Sequence, residues 1–141
     1  MKRSILAIDG SRSLRYLITT LFAEKFSVQA VEDQCKALQV INSGYEPDLI
    51  IVDIFSIDSE NMELLEHIST SSIFNNVPVI VLSASSDEEL KNSCRQLGAN
   101  DFLTKPFDPV YLYNKAELLL SEKRPDVIHK KKKLFNNLNF F

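Results

Sequence analysis

The 141 residues are 45% hydrophobic and 25% charged with a net charge of −3, the make-up of an ordinary globular chain and not of a disordered or fibrous one. That length is one domain with room for a sizeable core. The N-terminal MKRSILAIDG is broken at Asp9 before its apolar run reaches signal-peptide length, and no other run approaches a membrane span, so a cytoplasmic protein is expected.

Five short runs rich in β-branched residues read as strands: SILAI (4–8), SVQAV (27–31), LIIVD (49–53), VPVIVLS (77–83) and DFLT (101–104). Between them the spacing is helical. Leu14, Leu17, Ile18, Leu21 and Phe22 follow the i, i+3, i+4, i+7 pattern of a one-sided helix. Ala37, Leu38 and Ile41 make a weaker stripe that Ser43-Gly44 closes as a C-cap, and Leu64, Leu65 and Ile68 make a third. Ser86-Asp87-Glu88-Glu89 has the form of a capping box, followed by Leu90, Cys94 and Leu97 on one face and Gly98 as the stop. The last helix has Asp108 as N-cap and Pro109 at its first position, then Leu112, Ala116, Leu119 and Leu120.

Strand and helix alternate with no tight hairpin signal, so the strands are expected to run parallel, with helices as the crossovers. LIIVD and VIVL are apolar on consecutive residues, as strands covered on both faces must be. The fold class is therefore α/β, a doubly wound parallel sheet. Cys35 and Cys94 lack CxxC spacing and a nearby His, and read as reduced, half-buried thiols outside any site.

Open parallel sheets bind ligands beyond the carboxyl ends of their strands, at the switch in strand order. Strand one ends at Asp9, strand three at Asp53 and strand four at Ser83, and strand five runs into Lys105. Two carboxylates, a hydroxyl and an ammonium thus converge on one edge. The pieces ILAIDGS, PDLIIVDI, VPVIVLSA and GANDFLTKPFDP, in that order, resemble the receiver domain of two-component response regulators, over about residues 3–122.

The resemblance implies a (βα)5 flavodoxin-like fold with five parallel strands in the order 2-1-3-4-5. It implies that Asp53 is the phosphoacceptor, and that Ser83 is the hydroxyl that hydrogen-bonds the phosphoryl group and shifts with it. Lys105 matches the lysine that pairs with the phosphorylated aspartate, Ala84 the small residue that leaves room, and Phe102 the aromatic that rotates with Ser83. Lys105-Pro106 matches a cis peptide bond. Mg²⁺ is implied as cofactor, held by Asp9, Asp53 and the Phe55 backbone carbonyl. A histidine kinase or phosphotransfer protein is the implied donor, and a protein target on the fourth-helix, fifth-strand and fifth-helix face the implied output. A homodimer fits the same family, and no direct contact with nucleic acid is expected. Such a domain accepts a phosphoryl group as a signal and is not an enzyme acting on a separate substrate.

Two departures stand out. Receivers end strand one with two adjacent acids, the second a metal ligand; here the pair is Asp9-Gly10. Losing an anionic oxygen weakens Mg²⁺ binding and also removes a like charge beside Asp53. After Asp53, Ile57 stands where the family often has proline and Asn61 where it often has glycine. Asn tolerates a left-handed backbone, so the second change is expected to be mild. Asp58 and Glu60 lie in the same loop and are candidates to replace the missing acid. Two functions follow: a phosphoaccepting receiver, favoured by Asp53, Ser83 and Lys105, and a pseudo-receiver interaction module, favoured by Gly10. A flavodoxin-like electron carrier would need a longer, glycine-rich loop than Ser11-Arg12-Ser13-Leu14.

The chain then changes character. Residues 123–141 hold six basic residues against one acid, a net of +5, and leave the first 122 with ten against eighteen, a net of −8. Lys130 to Lys133 read as a solvated end. Leu134, Phe135, Leu138 and Phe141 fit a short amphipathic helix docking on the acidic body or a dimer mate.

Overall fold

In the computed structural model, which describes residues 2–121, strand and helix alternate five times. The elements are β1 (Arg3–Ile8), α1 (Arg12–Phe22), β2 (Phe26–Val31), α2 (Gln34–Asn42), β3 (Leu49–Asp53), α3 (Glu60–Thr70), β4 (Val79–Ser83), α4 (Glu88–Gln96), β5 (Asp101–Thr104) and α5 (Pro109–Ser121). All strand pairings are parallel, in the order β2-β1-β3-β4-β5. The tail motifs at 123–141 lie outside the described residues.

Alternate residues of each central strand feed two separate cores. Leu6, Ile8, Ile50, Val52, Val79 and Val81 pack under α2, α3 and α4 with Ile41, Leu65, Ile68, Leu90 and Cys94. Ile5, Ala7, Leu49, Ile51, Ile80 and Leu82 pack under α1 and α5 with Ile18, Phe22, Leu112, Ala116 and Leu120. This is why LIIVD and VIVLS carry no polar alternation: both faces of the sheet are covered. Phe22 stacks on Tyr113 at 5.4 Å between ring centroids and meets Phe26 edge-on at 5.7 Å, joining α1, β2 and α5.

The ends of the elements follow local chemistry. Ser11, Asp33 and Asp87 cap α1, α2 and α4 through side-chain oxygens that accept from Leu14, Lys36 and Leu90 N–H groups. The expected capping box is thus displaced by one residue, because Asp87, an anionic acceptor, takes the cap in place of Ser86. Gly44 and Gly98 end α2 and α4 at φ of 99° and 96°, where a side chain would be strained. β4 starts at Val79, later than expected. Val77 N–H turns back to Phe74 and Pro78 has no N–H to give, though its carbonyl accepts from Ile50. The cysteines differ from expectation too: Cys94 is fully buried, which pushes its thiol up to about 11, while Cys35 is exposed on α2.

Candidate functional site

The chain passes from β1 to β2 on one side and returns over β1 to β3, so strand order reverses between β1 and β3. Asp9 and Asp53 stand at the carboxyl ends of these two strands. Ile8 is in register with Val52, which sets the two aspartates side by side. Lys105 follows β5, two strands beyond β3, and its ammonium crosses the end of β4 to lie 3.0 Å from Asp9 Oδ2 and 3.0 Å from Asp53 Oδ1. Ala84, directly after β4, is exposed. The Lys105-Pro106 peptide bond is cis, as the resemblance implied.

The two aspartates are not equivalent. Asp9 is buried, and both its oxygens are engaged, Oδ1 by the Ser11 N–H at 2.8 Å and Oδ2 by Lys105. Asp53 is more open, with a fifth of its side chain exposed. Burial pushes the Asp53 pKa up, the hydrogen bond from Lys105 pulls it down, and the Asp9 charge pushes it up again; the net shift is upward. For Lys105, burial lowers the pKa, but the hydrogen bonds and charges of Asp53 and Asp9 outweigh it and the result is raised, so the group stays an ammonium.

A carboxyl whose folded pKa exceeds its unfolded one binds more protons in the folded state between those two values. Its ionisation is then a penalty on folding, absent below the ordinary carboxylate range and fully felt above the raised value. Asp53→Asn is expected to raise the Tm at pH 7 by roughly 2–4 °C. In scanning calorimetry this gain should vanish in acid, where Asp53 itself is protonated. A lower Tm at pH 7 would mean that the pairing with Lys105 outweighs burial.

The other expected site residues are placed less directly. Ser83 ends β4 but is fully buried, and its Oγ accepts from the Ser85 N–H at 3.1 Å. Phe102 is half-buried against the α2–α4 core, with Lys91 Nζ 5.8 Å from its ring centroid. Phe55 has its ring 62% exposed on the loop after Asp53.

Asp58 and Glu60 are exposed, and among the described residues no three His, Cys, Asp or Glu side chains gather to hold a metal ion. The expectation that these two replace the missing acid is therefore corrected: Glu60 opens α3 and faces solvent. Asn61 also differs from expectation. It lies within α3, not at a left-handed position, and its Nδ2 donates to the Asp53 carbonyl at 2.7 Å.

A related contact went unforeseen: Arg15 Nη1, from α1, donates to the Asp9 carbonyl at 2.8 Å. Each acidic strand end is thus held by a polar side chain from the helix that follows it. Nothing in the spacing of Arg15 or Asn61 announces this.

Asp53 and Asp9 offer carboxylate oxygens to a metal here, and the resemblance adds the Phe55 carbonyl as a third donor. These are hard oxygens of the kind Mg²⁺ takes, and Mg²⁺ keeps several waters, so two carboxylates and a carbonyl fit it in kind. They are few in number, because Gly10 contributes no side chain.

The parallel five-stranded sheet with two aspartates and a lysine at its switch point is an α/β architecture that hosts many functions, and the comparison with known proteins says which class it is. The family model described as the response regulator receiver domain matches residues 5–117. The two-component response regulator ORR5 of Oryza sativa subsp. japonica is 32% identical over 106 residues, 74% of this chain and 79% of its own length. The phosphate regulon transcriptional regulatory protein PhoB of Escherichia coli is 26% identical over 126 residues, 89% of this chain but 55% of its own length. Among solved structures, the Francisella response regulator 1452 receiver domain superposes with a TM-score of 0.77 at 28% identity, over 87% of this chain and all of that one. The Vibrio cholerae chemotaxis protein CheY4, at 23% identity and a TM-score of 0.75 over 84% of this chain and 99% of its own, shares the fold. The chain belongs to the response regulator receiver domain family of two-component signalling. Among the described residues no helix is long and apolar enough to cross a membrane.

Proposed function

We propose that this receiver signals by accepting a phosphoryl group on Asp53 from a phosphohistidine of a histidine kinase or phosphotransfer protein. The observation that carries this reading is the Lys105 ammonium 3.0 Å from both Asp53 and Asp9 at the switch point. In the transfer, an Asp53 oxygen forms a bond to phosphorus while the phosphorus–nitrogen bond to the donor imidazole breaks. The electron pair returns to that nitrogen, which takes up a proton. The carboxylate is the nucleophile, and its ionised form is the reactive one.

Lys105 neutralises charge before and after the transfer. Its ammonium is a compact, three-donor cation suited to a phosphoryl oxygen. Asp9 keeps Lys105 in place and, being buried and doubly hydrogen-bonded, is not itself the acceptor. Receiver domains generally use Mg²⁺ for this chemistry; bound at Asp53, Asp9 and the Phe55 carbonyl, it would stabilise charge on the transferring phosphoryl oxygens.

Ser83 must leave its bond with Ser85 to reach the new group, and Phe102 is the half-buried neighbour free to take up space as it does. The change would be read on the face of α4, β5 and α5, where Val110, Tyr111 and Leu118 are exposed by 64%, 50% and 50%. The domain acts as acceptor and self-catalyst, with a partner protein as its output. The pseudo-receiver alternative rests on Gly10 alone.

Incubating the full chain with acetyl phosphate and reading its intact mass tests the proposal. One phosphoryl adduct is expected on the natural chain, formed faster with Mg²⁺, and none on Asp53→Asn. An unmodified natural chain under all conditions would sink it.

A further inference from the structure

The carbonyl at the end of a strand is the last acceptor of its ladder, and it needs a partner from elsewhere when the neighbouring strand has stopped. At Asp53 that partner is the Asn61 side chain, with Nδ2 2.7 Å from the Asp53 oxygen. The bond closes residues 53–61 into a ring. Inside it, the Ser59 N–H and Oγ both donate to the Ser56 carbonyl, at 3.2 and 2.8 Å, and Ser59 is buried. Phe55 belongs to this ring yet has its side chain 62% exposed. The Phe55 backbone is thus held from two sides, by buried Ile54, whose N–H donates to the Leu82 carbonyl at 3.0 Å, and by the ring that Asn61 closes.

We infer that Asn61 is a positioning residue for the divalent cation, and that its tether to Asp53 offsets the acidic ligand that Gly10 does not supply. This rests on the metal-assisted phosphoacceptor reading above. A site with two carboxylates depends heavily on its neutral donor. A loop carbonyl that must be ordered when the ion arrives costs affinity, whereas one already held does not. Two departures, Gly10 after β1 and Asn61 in the first turn of α3, are then energetically coupled. A plain structural role for Asn61, satisfying a strand-end carbonyl and nothing more, predicts no such coupling.

The test is a double-mutant cycle on the full chain, with Asn61→Ala made in the natural sequence and in the Gly10→Asp background. Mn²⁺ is the probe, its free concentration read by electron paramagnetic resonance and its affinity obtained without any phosphoryl transfer. Asn61→Ala is expected to weaken Mn²⁺ binding by about 3- to 10-fold in the natural sequence. In the Gly10→Asp background, where a third carboxylate anchors the ion, the loss should fall below about twofold. Thermal melts of all four proteins show whether each is folded at the assay temperature.

Equal losses in the two backgrounds would overturn the inference, as would an unchanged affinity with a lowered Tm. An absence of Mn²⁺ binding by the natural chain would also overturn it, since the tether would then offset nothing. The phosphoacceptor reading stands or falls separately, on the adduct formed by the natural chain.

Discussion

Gly10→Asp is expected to tighten Mg²⁺ binding by about 10- to 100-fold, the span that gain or loss of one supporting ligand group usually covers. The backbone permits the change. A Cβ built at Gly10 meets only the Glu32 carbonyl at 3.9 Å, an ordinary contact, and the φ of this residue lies outside the left-handed region. The new carboxylate would stand beside Asp9, which is buried and fully engaged, and across from Asp53.

Without metal, a third negative charge faces a single ammonium, and like charges so close disfavour each other. The same substitution is therefore expected to lower the Tm in chelator and restore it in millimolar Mg²⁺, because an ion that binds only the folded state stabilises it in proportion to its occupancy. Isothermal titration with MgCl₂ and paired melts check both. Unchanged affinity would show that residue 10 does not face the ion.

Lys105→Ala should be the most damaging single change to the site. Asp9 is 2% exposed, and its carboxylate would lose the Lys105 ammonium and keep one backbone N–H, while Arg15 stays on the Asp9 carbonyl. Removing one member of a fully buried pair costs about 3–5 kcal/mol. Lys105 is itself one-fifth exposed, so solvent reaches the pair, and a loss of about 2–3 kcal/mol in denaturant unfolding is the expected figure. Phosphoryl uptake should fall as well, since the ammonium that would pair with an incoming phosphoryl oxygen is then gone. Lys105→Arg is not a rescue: a planar guanidinium fork cannot set one point charge between two carboxylates. A Lys105→Ala chain with unchanged stability and uptake would refute both roles.

The fold was legible in the sequence because its determinants are local. Consecutive apolar residues at 49–52 and 79–82, stops at Gly44 and Gly98, and the Asp108-Pro109 start of α5 each depend on a few neighbouring residues. The convergence of Asp9, Asp53 and Lys105 was legible too, because parallel strands put their carboxyl ends on one edge.

What escaped were the contacts that closure of the tertiary structure alone creates. Arg15 and Asn61 look like surface polar residues of two helices until those helices dock and bring them to strand-end carbonyls. Burial of Ser83 was hidden for a similar reason: a serine at a strand end reads as solvent-facing until the loop to Ser85 folds over it. Asp58 and Glu60 misled in the other direction, because nearness in sequence to Asp53 does not bring a side chain to the site.

The central claim is that Asp53 itself receives the phosphoryl group. Borohydride reduction after acetyl phosphate treatment tests it most directly, because an aspartyl phosphate, being an acyl phosphate, is reduced to homoserine while free carboxylates are untouched. Peptide mass mapping is expected to find homoserine at position 53 alone, in proportion to the adduct seen on the intact chain. Homoserine at position 9 or 58, or an adduct that leaves position 53 unreduced, would contradict the account.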